Sequence, residues 1–224
     1  RTCLPQIGAP APDFSAMTTF GPIRLSDLRG RWVVLFSHPG DFTPVCATEF
    51  LSFANYYPYF VSRNTQLLGL SIDSNSSHLA WVYSIYQRIG IEIPFPIIED
   101  RDMRVSRLYG MISEAAAPAQ TVRSVFIIDD RQVLRAILYY PRSTGRNIAE
   151  ILRLVNALQT ADAEKAATPA DWVPGMPVIV PAPTTYDELK RRVVNPEGYQ
   201  CIDWYLCFRP VVRPMVTPSQ RPGV

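Results

Sequence analysis

The sequence predicts an α/β fold, a mixed sheet flanked by helices with a small C-terminal extension, and three observations predict it. Short apolar runs near residues 32–37, 67–73, 124–129 and 133–139 read as strands, while helical periodicity occupies residues near 44–63, 76–89, 101–109 and 146–159. The β-α-β-α order ends in a hairpin turned at Asp129-Asp130, which places antiparallel and parallel pairing in one sheet. From residue 161 the helical period stops and Pro169, Pro174, Pro177, Pro181 and Pro183 accumulate. That shift marks a main domain over residues 1–165 and an extension over 166–224.

The elements follow from local chemistry. Trp32-Val33-Val34-Leu35-Phe36 is apolar and β-prone, the pattern of a buried strand, and Pro39-Gly40-Asp41 stops it. Thr43 is placed to cap the next helix, and Pro44 fits the first turn, where its missing N–H would have had no helical partner. Pro58 falls inside that helix and is expected to kink or interrupt it near Tyr56-Tyr57, because proline removes a donor and clashes with the preceding turn. In the extension, residues 186–193 read as one short helix within extended chain, too little to fold alone. The proline-rich tail over 211–224 has little to bury and reads as an arm or an unstructured segment.

Composition narrows the function. With 224 residues, 47% hydrophobic and 19% charged, the chain buries one full core, and a net charge of +2 gives no general attraction to nucleic acid or a membrane surface. The longest basic group, Lys190-Arg191-Arg192, reads as the solvated face of the short helix. The absence of a long apolar stretch, or of a charged leader before one, makes a cytoplasmic location the expectation.

The chemistry centres on Cys46. It lies in the first turn of a helix that follows a strand, where unpaired N–H groups and the positive end of the dipole favour an anion. A hydroxyl (Thr43) stands three residues before the thiol, prolines (Pro39, Pro44) flank that hydroxyl, and a carboxylate (Glu49) stands three residues after the thiol. A cysteine taken alone is usually a small buried hydrophobe, but this combination is that of a nucleophile. Since the thiolate attacks and an ordinary thiol is only a few per cent ionised at neutral pH, a helix end is not enough and a cationic partner is required. Arg123 begins the apolar strand over 124–128 and therefore points toward a sheet end, where such a partner is needed.

The run Pro39, Thr43, Cys46 resembles the P-x-x-x-T-x-x-C signature of the peroxiredoxins, and its Ser-His-Pro-Gly-Asp-Phe-Thr-Pro-Val-Cys form resembles the one-cysteine, peroxiredoxin-6-like subfamily. Further segments stand in the expected order, among them Asp13-Phe14, Leu70-Ser71-Ile72-Asp73, His78-Leu79-Ala80-Trp81, Thr144-Gly145-Arg146-Asn147 and Ala167-Thr168-Pro169-Ala170-Asp171-Trp172. The resemblance implies a thioredoxin-like fold, no cofactor or metal, and thiol-dependent reduction of hydrogen peroxide and organic hydroperoxides through a cysteine sulfenic acid. It makes Cys46 the peroxidatic nucleophile and gives Thr43 the peroxide through its hydroxyl. Pro39 shields the site from water, Arg123 pairs with sulfur and the attacked oxygen, Arg146 supports it, Glu49 orients an arginine, and His38 is a pocket histidine. It also implies a homodimer in which the C-terminal extension packs on another subunit, assembled into decamers or dodecamers. The segment Gly30-Arg31-Trp32-Val33-Val34 lacks the serine of the subfamily's phospholipase motif, so lipase chemistry is not expected.

Cys201 and Cys207 are separated as C-x5-C, neither a C-x-x-C redox pair nor a zinc ligand pair, and no matching histidines accompany them. By resemblance to archaeal members, Cys207 is the resolver of a partner subunit's sulfenate, with thioredoxin or another thiol as reductant, and Cys201 is an accessory thiol. Burial beside Trp204, Tyr205 and Phe208 is the alternative for both. Cys3 reads as incidental, and His78 as a helix-surface or interface histidine. Two other functions fit parts of the pattern: a redox-regulated holdase chaperone assembling as a ring, and a protein thiol-disulfide oxidoreductase, which the missing C-x-x-C disfavours.

Overall fold

The structure, a computed structural model, describes residues 4–196 and 198–212; Cys3 and most of the proline-rich tail lie outside the described residues. The chain divides into two compact units, Arg1–Ala149 and Glu150–Val224.

The first unit is built on a seven-stranded mixed sheet in the order β2-β1-β5-β4-β3-β8-β9. Its strands are β1 (Ser15–Thr18), β2 (Gly21–Arg24), β3 (Trp32–Ser37), β4 (Thr65–Ser71), β5 (Ile97–Glu99), β8 (Arg123–Ile128) and β9 (Leu134–Tyr140). Helices α1 (Pro44–Ser62), α2 (Asn75–Ile89) and α3 (Arg104–Leu108) connect them, and a small pair, β6 (Ile112–Ser113) and β7 (Ala117–Thr121), precedes β8. The expected mixed sheet with flanking helices is present, and this is the thioredoxin-like arrangement. Strand β3 lies in its interior, parallel to β4 and antiparallel to β8, with all six residues buried. A strand covered on both faces is apolar throughout, which is why Trp32–Phe36 was legible as one. The β8–β9 turn is held where expected: the Asp129 carboxylate accepts from the N–H of Arg131 at 3.0 Å and of Val133 at 2.9 Å.

Pro58 does not interrupt α1, which runs unbroken from Pro44 to Ser62. Phe50, Phe53 and Phe60 are buried on either side of the proline, and burying an aromatic side chain is worth ~1.5–3 kcal/mol, enough to hold the helix through one lost hydrogen bond. Phe36 of β3 stacks on Phe53, with ring centroids 4.0 Å apart, and meets Phe50 and Phe95 edge-on. Gly69 of β4 faces this cluster; a Cβ there would stand 3.3 Å from Phe50 and 3.4 Å from Phe36, so the position keeps the aromatic layer against the sheet.

The second unit begins in the first turn of α4 (Ile148–Glu164), earlier than the proline-marked boundary at 165/166. The helix is tied to the segment that follows it: Arg153 Nη1 donates to the Trp172 carbonyl at 2.7 Å, and Arg209 Nη1 pairs with Glu164 Oε2 at 2.6 Å. Three short antiparallel strands, β10 (Val178–Ile179), β11 (Gln200–Asp203) and β12 (Leu206–Arg209), form a sheet in the order β10-β12-β11. Between β10 and β11 lies α5 (Tyr186–Val194), closed at its start by a reciprocal capping box of Thr185 and Glu188. No helix among the described residues is long and apolar enough to cross a membrane.

Candidate active site

The turn from β3 into α1 positions the sulfur. Thr43 occupies the N-cap in extended conformation and Pro44 follows within the first turn, as expected, but the Thr43 hydroxyl does not cap the helix. It donates instead to the Gly40 carbonyl at 2.7 Å, which closes the turn and leaves the oxygen's lone pairs to accept a hydrogen bond. Phe42, just before it, takes φ 56°, a left-handed conformation uncommon for a bulky residue, and is 60% exposed. Cys46 sits in the first turn and is fully buried.

One arginine meets the sulfur, and a carboxylate and a second arginine hold it. Arg123, the first residue of β8, donates from Nη1 to Cys46 Sγ at 3.3 Å and to Glu49 Oε2 at 2.8 Å; its Nε and Nη2 donate to the Arg142 carbonyl at 2.9 and 2.7 Å. Arg146 forks onto the same carboxylate, Nε to Oε1 at 2.8 Å and Nη2 to Oε2 at 2.7 Å, and its backbone N–H adds a third bond to Oε1 at 2.8 Å. Nη1 of Arg146 then donates to the carbonyls of Ser37 and Ser124, both at 2.8 Å, and its guanidinium lies over the rings of Phe36 and Phe53. Glu49, Arg123 and Arg146 are all buried. Burial pushes the Glu49 carboxyl up, but the hydrogen bond and charge of Arg146 outweigh it and hold the group below its ordinary range. Two guanidiniums against one carboxylate leave one net positive charge in the cluster, whose nearest nitrogen is 3.3 Å from the sulfur.

Pro39, Thr43, Pro44, Val45, Arg123, Arg142 and Ser143 line a pocket of 370 Å³ over this cluster. A larger hollow beside α5, lined by Asp187, Lys190, Arg191, Val194 and Asn195, holds no nucleophile.

His38 and His78 stand differently from expectation. His38 does not line the pocket; its ring is fully buried, with Nε2 2.9 Å from Asp41 Oδ1 and Nδ1 without a partner. His78 is no surface residue. It is fully buried, with Nδ1 2.8 Å from Asp41 Oδ2 and Nε2 3.1 Å from the Ile98 carbonyl, because α2 turns His78, Trp81 and Ile85 inward at helical spacing. Ser77 adds a bond to Asp41 at 2.8 Å, and Asp73 accepts from the Asp41 N–H at 2.9 Å. His38, Asp41 and His78 have the composition of a ligand set, but their polar atoms bond directly to one another. The i, i+3, i+7 spacing of His78, Trp81 and Ile85 was the signal that could have placed His78 inside; nothing local marks Asp41 as its partner.

Burial pushes the Asp41 carboxyl up, yet the bonds from His38 and His78 win and hold it well below the usual carboxylate range; burial pushes His38 down from its ordinary value despite Asp41. A lowered histidine binds fewer protons in the folded state, so its contribution falls as pH drops below ~6.5; Asp41 and Glu49 contribute above the ordinary carboxylate pKa of ~4 and lose that contribution as pH falls through their lowered values. All three act in one direction. Melting temperature followed from pH 7 to pH 4 is expected to decline monotonically, and a rise between ~6.5 and ~5 would contradict the assignment.

The second unit carries the remaining thiols. Cys201 and Cys207 face each other across β11 and β12 and form a disulfide within the chain, so neither is a free thiol in this state. Cys46 is the free cysteine among the described residues.

A buried thiol backed by a guanidinium on a thioredoxin-like sheet is the arrangement of a thiol-based redox enzyme. Residues 7–137 match the AhpC/TSA family and residues 157–194 the C-terminal domain of 1-Cys peroxiredoxin; the chain belongs to the peroxiredoxin family. It is 67% identical over 211 residues to peroxiredoxin 2 of Caldanaerobacter subterraneus subsp. tengcongensis, covering 94% of this chain and 96% of that one. Identity to the peroxiredoxin of Aquifex aeolicus is 57% over 219 residues, covering 93% and 98%. Among solved structures, a yeast mitochondrial 1-Cys peroxiredoxin is 40% identical with a TM-score of 0.81, covering 92% of this chain and 99% of that one. The peroxiredoxin 6 of Arenicola marina, in a Cys-to-Ser mutant, is 33% identical with a TM-score of 0.80, covering 92% and 98%. The protein is therefore a thiol peroxidase with an antioxidant function, and it carries a disulfide in its C-terminal unit.

Proposed function

We propose that Cys46 is the peroxidatic nucleophile, and the observation that carries this is its buried sulfur 3.3 Å from Arg123 Nη1 in the first turn of α1. The thiolate attacks one peroxide oxygen, the O–O bond breaks, and Cys46 becomes a sulfenic acid while the departing oxygen takes a proton and leaves as water or an alcohol. Negative charge grows on that oxygen during the step, so donors fixed beforehand lower the barrier. Arg123 supplies them. Thr43, whose hydrogen is spent on Gly40, accepts from the peroxide O–H, and Pro39 walls the pocket against water. Glu49 and Arg146 hold Arg123 in place through the shared carboxylate. His38 acts from behind the pocket, through Asp41 and the turn between β3 and α1.

Cys207 of a partner subunit resolves the sulfenate, and thioredoxin or another thiol is the reductant. The chain works as a homodimer in the cytoplasm, assembled into decamers or dodecamers; support comes from the edge strand β9, which pairs with the segment over Gly8 and Ala9 only at Leu134 and has no outer strand partner beyond it among the described residues. The test adds one equivalent of hydrogen peroxide to reduced protein, quenches within seconds and maps sulfenates and disulfides by peptide mass spectrometry. Oxidation of Cys46, as a sulfenate or as an intersubunit bond to Cys207, is expected; an unreacted Cys46 overturns the assignment.

A further inference from the structure

The disulfide in the second unit joins two residues of unlike accessibility. Cys207 is fully buried, whereas Cys201 is exposed, as are all four residues of β11. The two residues are direct partners in the register of β11 and β12, so each sulfur is delivered to the other by the ladder rather than by chance encounter. The Cys207 carbonyl accepts from the Val180 N–H at 2.9 Å, which ties β12 to the segment after β10 and leaves β11 as the outer strand of this small sheet.

We propose that Cys201 is the point at which reducing equivalents enter, and that the Cys201–Cys207 pair relays them to Cys46. The inference rests on Cys207 being the resolver. In the first step the Cys207 thiolate attacks the Cys46 sulfenic sulfur; the Cys46–Cys207 bond forms and the oxygen leaves, with a proton, as water. In the second step the Cys201 thiolate attacks the Cys207 sulfur, the Cys201–Cys207 bond forms, the Cys46–Cys207 bond breaks, and Cys46 departs as a thiolate with no net change in electrons. The Arg123 guanidinium, 3.3 Å from the Cys46 sulfur, favours that departure.

In the third step one thiolate of an external dithiol attacks the exposed Cys201 sulfur and releases Cys207; the second thiol of the dithiol then displaces Cys201, leaving both cysteines reduced and the dithiol oxidised by two electrons. Attack by a thiolate from solvent falls on Cys201 because Cys207 is inaccessible in the bonded state. The reductant then never has to reach into the pocket over Cys46.

The experiment treats fully reduced protein with one equivalent of hydrogen peroxide, quenches a time course with an alkylating agent, and maps the disulfides in wild type, Cys201→Ser and Cys201→Ala. In wild type the Cys46–Cys207 bond is expected to rise and then give way to Cys201–Cys207, with Cys46 again open to alkylation. Both variants are expected to stop at Cys46–Cys207, and their steady-state turnover with a thioredoxin-type dithiol to fall about tenfold or more, since attack is left with the hindered bond. A wild-type endpoint at Cys46–Cys207, or turnover of both variants at the wild-type rate, overturns the relay. Cys46 left unoxidised in wild type overturns the assignment of Cys46 as nucleophile and the relay with it, whereas Cys46 oxidised without any Cys201–Cys207 bond forming overturns the relay alone.

Discussion

Replacing Arg123 by Met is expected to lower the second-order rate constant for peroxide consumption by about 10²–10³, the range seen when one fixed donor to a developing oxyanion is removed. The side chain fills similar space, so the loss is electrostatic. Four bonds vanish together: those to Cys46, to Glu49 and the two to the Arg142 carbonyl. Glu49 keeps its fork to Arg146, so the fold survives. Lysine is expected to restore little, because one ammonium cannot span the sulfur, the carboxylate and the carbonyl that the planar guanidinium meets at once. Stopped-flow kinetics with hydrogen peroxide decide the matter, and an Arg123→Met rate within about threefold of wild type would remove Arg123 from the reaction.

Glu49→Gln carries the largest expected cost in stability. Among the described residues this carboxylate is the one anion paired with the two buried guanidiniums, taking hydrogen bonds from Arg123 Nη1 and from three nitrogens of Arg146. The amide keeps the shape but loses the charge and turns an N–H₂ toward donors, leaving two cations in a dry environment. Breaking a buried ion pair by removing one partner costs about 3–5 kcal/mol. Denaturant unfolding is the direct measurement, read from the shift in midpoint at unchanged slope. A loss below about 1 kcal/mol, the value of an exposed pair, would mean that water reaches the cluster.

What the sequence disclosed and what it withheld divide along physical lines. Strands β3, β4, β8 and β9 and helices α1, α2, α4 and α5 were legible because each carries its own period or apolar run. Strands β1, β2 and β5 were not: the first two are half-exposed and alternate weakly, and β5 is three residues long behind Pro96. The cysteine turn was legible for a similar reason, since the cap position, the proline and the thiol lie within four residues. The network of Asp41, His38 and His78 was hidden because its members come from two segments that only the sheet brings together, and a histidine looks the same inside a helix face as outside it. The Cys201–Cys207 bond was withheld because strand register, not spacing, decides it.

The two redox elements also differ in how readily the backbone beneath them opens. Strand β3, which delivers the Cys46 turn, is laddered on both sides inside the seven-stranded sheet, so freeing its amides requires breaking the sheet itself. Strand β11 is four residues long, outermost in a three-stranded sheet, and every one of its residues faces water. Local fluctuations of small free-energy cost release the second and not the first. The molecule thus carries Cys46 on a turn that leaves a strand laddered on both sides, and Cys201 on an outer strand of four residues that opens at small cost.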